Sequence, residues 1–148
     1  MQSKIAENFI LSDQYGNKFE LYKNSERYIL LIFYPKDNSF ICSKQLRNYQ
    51  MNIEKFKKLG IQPVGINIES IDSHKSFCDL KSIDFPMLSD NEKIVSKKYN
   101  ALNIFSSNKR KLVLINLQRE IVYERDIFTL NYLKTEEILT GLKKLNII

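Results

Sequence analysis

The chain has 148 residues with 43% hydrophobic and 27% charged side chains, which is ordinary for a soluble globular protein and fits one domain over residues 1–148. Its formal net charge is +6 at pH 7, but the lysines are scattered without an aromatic–basic stripe, which argues against nucleic-acid binding. The longest apolar run is far shorter than a membrane span, and the first residues lack a signal-peptide pattern, so we expect a cytoplasmic protein outside membranes.

The first part of the chain predicts an N-terminal hairpin, a buried strand and a helix. Residues 9–12 and 18–21 flank turn-forming residues, which is the pattern of a β-hairpin. Residues 28–34 form a continuous apolar run rich in β-branched and aromatic side chains, as expected of a strand buried on both faces. Apolar residues at helical spacing then predict a helix over residues 42–59, which Gly60 ends.

The rest of the chain alternates between strands and helices. The expected elements are a strand at residues 64–68, helices at 72–80 and 92–99, strands at 111–117 and 121–125, and a helix at 135–146. Asp72 and Thr135 are the expected N-caps of two of these helices. This order implies an α/β domain with helices on both faces of a central mixed sheet, and a thioredoxin-like fold is the best match.

Two cysteines and one histidine bound the reactive chemistry of the chain. A tetrahedral zinc site would need a carboxylate as well, at an improbable spacing, so we expect neither a metal nor another cofactor. A serine hydrolase triad would have to use His74, and no nucleophile-elbow sequence accompanies it. Cysteines in a chain without a secretion signal indicate a reducing compartment, where thiols are structural, redox-active or catalytic.

The most informative segment runs from Pro35 to Cys42, where the chain leaves the buried strand and enters a helix. A cysteine in the first turn of a helix meets free backbone N–H groups and the positive end of the helix dipole, which stabilise the nucleophilic thiolate. Ser39 would present its hydroxyl at the same pocket. The spacing by itself leaves open whether Cys42 is reactive or is a free cysteine that caps the core.

Four stretches of the chain, in the right order, resemble one protein family. Phe33-Tyr34-Pro35-Lys36-Asp37 through Cys42-Ser43 resembles the peroxiredoxin active-site stretch Pro-x-x-x-Thr/Ser-x-x-Cys, in the form that the Q type carries. Residues 6–9 and 13–16 resemble the family's opening hairpin, and residues 85–90 match a Q-type segment. Arg110 falls where the family has its active-site arginine. The chain therefore resembles a peroxiredoxin of the Q type, the bacterioferritin-comigratory group.

The resemblance implies a role for each matching residue. Cys42 would be the peroxidatic cysteine, which attacks one peroxide oxygen and expels the other as water or alcohol. Ser39 and the backbone N–H of Cys42 would hydrogen-bond the peroxide, and Arg110 would stabilise the thiolate and polarise the O–O bond. Pro35 would shield the resulting sulfenic acid from water. Fixed donors and a guanidinium suit this reaction because negative charge develops on the leaving oxygen.

Four positions depart from the family pattern. Phe40-Ile41 stands where the family has Pro-Gly, Glu7 replaces the opening proline, and Gln50 replaces an arginine on the helix. An apolar pair at the mouth of the pocket would favour organic peroxides.

The second cysteine lies outside the position that many Q-type proteins use for a resolving cysteine, which is Arg47 here. A minority of the family has a resolving cysteine on the helix that contains Cys78, so Cys78 is the candidate for a disulfide with the Cys42 sulfenic acid. The alternative is that Cys78 is a small buried hydrophobic residue. His74, one turn earlier, is expected to be an exposed helix histidine.

The function expected from the resemblance is a peroxidase that thioredoxin or a similar dithiol protein re-reduces, with a monomer favoured over a dimer. One alternative is a one-cysteine peroxidase with an external thiol as resolver. Another is a redox-sensing, thioredoxin-like binding module without turnover. A thioredoxin-type oxidoreductase would need Cys-x-x-Cys, whereas Ser43-Lys44-Gln45 follows Cys42.

Overall fold

The computed structural model describes residues 4–128 and 131–148. Its strands are Lys4–Ile5 (β1), Ile10–Ser12 (β2), Lys18–Glu20 (β3), Tyr28–Phe33 (β4), Ile61–Asn67 (β5), Met87–Ser89 (β6), Arg110–Asn116 (β7) and Glu120–Ile127 (β8). Its α-helices are Phe40–Met51 (α1), Ile53–Lys58 (α2), Ile71–Lys81 (α3), Ile94–Lys98 (α4) and Thr135–Lys144 (α5). Within the described ranges, no helix is both long and apolar enough to cross a membrane.

The strands form one mixed sheet in the order β1-β8-β7-β4-β5-β6-β2-β3. The neighbours β4, β5 and β6 run parallel, and the other pairs are antiparallel. Every residue of the central strand β4 is buried, because both faces of the sheet are covered there. The predicted hairpin is confirmed as β2 paired with β3, and the predicted central mixed sheet is confirmed as well.

Two hydrophobic clusters cover the two faces of the sheet. Leu30 and Ile32 of β4 belong to one cluster, and Ile29 and Leu31 belong to the other, because side chains alternate along a strand. The first cluster receives side chains from α1, α2, α3 and α5, and it includes both cysteines. The second cluster receives side chains from α4 and from the N-terminal hairpin. Helices therefore lie on both faces, as predicted.

The helix predicted over residues 42–59 is two helices in the structure. It begins earlier, at Phe40, because Ser39 caps it, and it is interrupted at Asn52. The Asn52 side chain donates a hydrogen bond to the carbonyl oxygen of Asn48, a local bond of the kind that competes with the helical pattern.

The predicted N-caps were wrong at two helices. Ser70 caps α3 by accepting a hydrogen bond from the backbone N–H of Ser73, so Asp72 lies within the first turn instead. Lys134 occupies the cap position of α5, and Thr135 is its first helical residue. Strands β1 and β6 were not predicted, because they are too short to show a periodic pattern and are defined by their pairing with β8 and β5.

Candidate active site

The first turn of α1 holds Cys42 with its sulfur almost fully buried, at 1% residue exposure. Asn38 adopts a left-handed backbone conformation, with φ of 61°, and turns the loop after β4 into the helix. Ser39 then accepts a hydrogen bond from the Cys42 backbone N–H, with 3.2 Å between Oγ and N. Cys42 therefore occupies the positive end of a capped helix, as the sequence predicts.

Arg110 is brought to Cys42 by the pairing of β7 with β4. Phe33, the last residue of β4, pairs with Lys111, so Arg110 lies at the edge of the sheet where the loop to Cys42 begins. Its Nη1 atom lies 3.5 Å from Sγ of Cys42, and the residue is only 8% exposed. A guanidinium cation held beside a buried sulfur can interact strongly with negative charge at that position, since water is excluded there.

Gln45 is a residue of the site that the sequence analysis missed. It is fully buried on α1 one turn after Cys42, and its Oε1 accepts a hydrogen bond from Nη1 of Arg110. Its Nε2 donates to the Tyr49 hydroxyl, which in turn donates to the carbonyl oxygen of Leu133. The signal that could have identified Gln45 in the sequence is its position three residues after Cys42, as a polar residue on an otherwise apolar face of the helix. This chain of bonds orients the guanidinium toward the sulfur.

Pro35 and the Phe40-Ile41 pair, both singled out by the sequence, lie at the surface around the reactive turn. Pro35 is exposed directly after the buried Tyr34, and its proposed shielding role stays a prediction. Phe40 is 72% exposed, and the Lys44 Nζ atom lies 4.4 Å from the centre of its ring. Ile41 is half-buried beside it. The two residues that depart from the family's Pro-Gly thus contribute an apolar surface next to the reactive turn.

Cys78 lies on α3, at 2% exposure, in the same hydrophobic cluster as Cys42. Both thiols are free. Burial, with a smaller effect from the negative charge of Asp37, raises the pKa of the Cys78 thiol to about 12. The fold therefore keeps Cys78 as a neutral thiol, which is a weaker nucleophile than a thiolate.

Two residues of α1 that differ from the family pattern, Arg47 and Gln50, bind the end of α3 and the segment that follows it. Arg47 donates to the carbonyl oxygen of Lys81 at 2.8 Å, and the Gln50 side-chain oxygen accepts from the Asp84 backbone N–H at 2.8 Å. Two side chains of the helix that begins at the reactive turn thus bind the C-terminal end of the helix that contains Cys78.

His74 is buried, which contradicts the expected exposed histidine. Its relative exposure is 0%, with Nδ1 lying 2.7 Å from Oδ2 of Asp37 and Nε2 lying 3.1 Å from the carbonyl oxygen of Leu88. The expectation failed because both partners come from segments distant in the chain. Burial by itself would raise the pKa of the Asp37 carboxyl, but the hydrogen bond and charge of His74 outweigh burial and lower it to about 2.

In the part of the chain that the structure describes, no three His, Cys, Asp or Glu side chains are grouped so as to hold a metal ion. The chemistry available from the groups present is that of a buried thiol, a guanidinium and helix N–H donors.

The sequence matches the model of the AhpC/TSA family over residues 3–124. It is 37% identical over 91 residues to a chloroplastic peroxiredoxin Q of Sedum lineare, an alignment that covers 62% of this chain and 49% of the relative. It is 28% identical over 130 residues to a putative peroxiredoxin, ycf42, of Porphyra purpurea, an alignment that covers 81% of this chain and 65% of the relative. The chain spans about half the length of the plant relatives it matches.

Solved structures of similar shape include two bacterial proteins. Peroxidoxin BcpB of Mycobacterium tuberculosis superposes with a TM-score of 0.85 at 20% identity, covering 99% of this chain and 96% of that one. A mutant PrxQ of Xylella fastidiosa superposes with a TM-score of 0.82 at 22% identity, covering 99% of both chains. Likeness at this level of identity shows the fold, which is the thioredoxin-like fold predicted from the order of elements.

Proposed function

Since this chain belongs to the AhpC/TSA family, we propose that it is a thiol-dependent peroxidase that reduces hydrogen peroxide and organic hydroperoxides with Cys42 as the nucleophile. The observation that carries the proposal is the Arg110 guanidinium 3.5 Å from the Cys42 sulfur, at the start of a capped helix. A buried thiol that serves only for packing has no need of a buried cation beside it.

The first step is the attack of the Cys42 thiolate on one oxygen of the peroxide. The S–O bond forms as the O–O bond breaks, so Cys42 becomes a sulfenic acid and the other oxygen leaves as hydroxide or alkoxide, which takes a proton to give water or alcohol. Arg110 and the N–H groups at the start of α1 are fixed before the reaction and stabilise the charge that develops on the leaving oxygen.

The second step is the condensation of the Cys42 sulfenic acid with the Cys78 thiol. A sulfur–sulfur bond forms, the hydroxyl group of the sulfenic acid leaves, and the thiol proton completes a molecule of water. Thioredoxin or a similar dithiol protein then reduces the disulfide. The location of both cysteines on the same side of the sheet, in one hydrophobic cluster, supports this step.

A one-cysteine peroxidase with an external thiol as resolver is the second candidate. The burial of Cys78 and its pKa of about 12 favour it, because a neutral buried thiol does not attack a sulfenic acid from its folded position. The two-cysteine scheme therefore requires that part of α1 or α3 unwinds first.

Intact mass and a non-reducing peptide map decide between the two schemes. We would treat reduced wild type, Cys42→Ser and Cys78→Ser with one equivalent of hydrogen peroxide. We expect loss of two hydrogens and a Cys42–Cys78 linkage in wild type, and a trapped sulfenic acid in Cys78→Ser. A sulfenic acid without any linkage in wild type would favour the one-cysteine scheme. No fast reaction at Cys42 would rule out peroxidase activity altogether and leave the redox-sensing binding module.

The exposed aromatic ring of Phe40 supports a preference for organic peroxides. Proline is well tolerated at the first position of a helix, so Phe40→Pro restores the family residue without breaking α1. We expect the ratio of the rates with cumene hydroperoxide and hydrogen peroxide to fall in this variant. A wild type that strongly prefers hydrogen peroxide would contradict the preference.

The proposal extends to a monomer that acts in the cytoplasm. Sedimentation of the reduced and oxidised protein tests the monomer, and fractionation of the cells that make the protein tests the location.

A further inference from the structure

A buried ion pair joins the loop after β4 to the helix that contains Cys78. The side chains of Asp37 and His74 are 1% and 0% exposed, with Oδ2 and Nδ1 at 2.7 Å. The other ring nitrogen of His74 faces the carbonyl oxygen of Leu88 at 3.1 Å. A carboxylate and a carbonyl group only accept hydrogen bonds, so each ring nitrogen of His74 faces an acceptor.

Other groups around Asp37 take up the remaining hydrogen bonds of its side chain and backbone. The Tyr34 hydroxyl donates to Oδ1 at 2.5 Å, and the Ser73 hydroxyl lies 2.6 Å from Oδ2. The Glu69 carboxylate accepts from the backbone N–H of Asp37 at 3.2 Å and from the Ser73 hydroxyl at 2.8 Å. The active-site loop is thus tied to residues at the start of α3 through backbone and side chain.

The position of the pair relates it to the two cysteines. Asp37 lies between Pro35 and Ser39, in the loop that leads to Cys42. His74 lies one turn before Cys78 on α3. Both thiols are free and buried on two different helices, and a disulfide requires a thiol that is free to attack, so we expect it to form only after one or both of these segments leave the folded position. The ion pair spans both of them.

We propose that the Asp37–His74 pair is a latch that holds α3 against the active-site loop and sets how fast Cys78 reaches the oxidised Cys42. His74 is then a positioning residue for the resolving step and takes no part in the attack on peroxide. The inference rests on the proposed role of Cys78 as the resolving cysteine.

The latch has a chemical consequence because the sulfenic acid has a second fate. While α3 stays closed, the Cys42 sulfenic acid can react with another peroxide molecule, which oxidises it to sulfinic acid and is itself reduced to water or alcohol. Opening of the latch leads to the disulfide instead. The strength of one buried ion pair therefore sets the partition between a recoverable and an irreversible product.

The test measures the steps of the reaction separately in wild type and in His74→Gln. The rate of the first step comes from trapping of the sulfenic acid, the rate of the second from disulfide formation, and the partition from the sulfinic acid formed as peroxide is raised. Since removing one partner of a buried pair leaves the other charge uncompensated, we expect disulfide formation to accelerate roughly tenfold or more in His74→Gln. The peroxide concentration that gives half over-oxidation should rise by a similar factor.

Two further variants separate the latch from a general loss of stability. Ile115→Ala is the matched control, because Ile115 is buried in the cluster on the opposite face of the sheet, toward the end of β7 away from Arg110. It should lower the global stability without changing the partition between disulfide and sulfinic acid. Ser73→Ala removes the hydroxyl group that lies between the Asp37 and Glu69 carboxylates while keeping the ion pair, so it should accelerate disulfide formation to a smaller extent and serves if His74→Gln folds poorly.

The pairing of Asp37 with His74 is tested with the Asp37→Asn variant and with the double variant that combines it with His74→Gln. The double variant should form the disulfide no faster than the quicker single variant, because one interaction can be lost only once. Equal rates of disulfide formation in wild type and His74→Gln, or an equal acceleration in Ile115→Ala, would overturn the latch. Absence of any Cys42–Cys78 disulfide in wild type would instead refute the resolving role of Cys78, and the latch with it.

Discussion

The Arg110 guanidinium contacts the Cys42 sulfur across the edge of the sheet, with 3.5 Å between Nη1 and Sγ. The same nitrogen donates to the side chain of Gln45, so the cation is held from α1 as well as from β7. A charged group held in this way needs no reorganisation when a peroxide is attacked.

Replacement of Arg110 by lysine should slow the reaction of Cys42 with hydrogen peroxide by about 100-fold, because an ammonium group does not reproduce the planar, fixed donors of the guanidinium. The measurement is the second-order rate of sulfenic acid formation. Lys109→Ala is the control, because this neighbouring cation pairs with Asp126 at 2.8 Å and does not reach the thiol. An equal loss of rate in Lys109→Ala would show that the effect does not depend on the contact between Arg110 and Cys42.

Gln45→Met should lower the same rate by about tenfold, because it removes the buried acceptor that orients Arg110 and leaves a charged donor unpaired. Tyr49→Phe keeps the Gln45 acceptor oxygen for Arg110 and should stay close to wild type. The comparison of the two variants tests orientation, because both change the hydrogen bond to Tyr49 and only one removes the bond to Arg110. Equal rates in the two variants would contradict the role assigned to Gln45.

Loss of the Ser39 cap should affect both stability and reaction rate. Ser39→Ala should lower the free energy of unfolding by about 1 kcal/mol, the usual cost of a missing N-cap. Ser70→Ala, which removes the cap of α3, should cost a similar amount. Urea unfolding measures both. Only Ser39→Ala should also slow the oxidation of Cys42, and a comparable slowing in Ser70→Ala would point to a stability effect.

Acid should weaken the fold through Asp37. Its pKa lies at about 2 in the folded protein against an ordinary value of 3.8, so its contribution to stability is present above about pH 4 and is lost as the pH falls through 2. The shift corresponds to about 2 kcal/mol. The difference in unfolding free energy between wild type and Asp37→Asn should therefore shrink by about that amount between about pH 5 and pH 2. A difference that stays constant over this range would contradict the ion pair.

Oxidation should loosen the start of α1 and most of α3. Amide hydrogen exchange in the disulfide form should be faster over residues 39–46 and 72–82 than in the reduced protein, because the buried cysteines have to leave their helices to meet. Helix α5 serves as an internal reference. Peroxide-treated Cys78→Ser is the control without a linkage. Identical exchange in the oxidised and reduced wild type would exclude this opening.

The parts of the fold that depend on residues adjacent in the chain were predictable from the sequence. The apolar run of β4 and the helix that starts near Cys42 follow from local patterns of hydrophobicity and turn-forming residues. The N-cap of α3 could not be predicted, because Ser70 and Asp72 are both suitable capping residues and lie two positions apart. The choice between them depends on where the chain leaves β5.

The sequence by itself determined the order of the longer strands and helices, the two-faced sheet and the position of Cys42 at a helix start. Only the tertiary structure revealed Gln45 as a partner of Arg110 and His74 as a buried partner of Asp37. Helical periodicity distinguishes apolar faces from polar ones, but it does not distinguish a polar side chain in water from one that meets a buried partner. Those partners lie on other strands and loops, and the pairing of β4 with β5 and β7 brings them together.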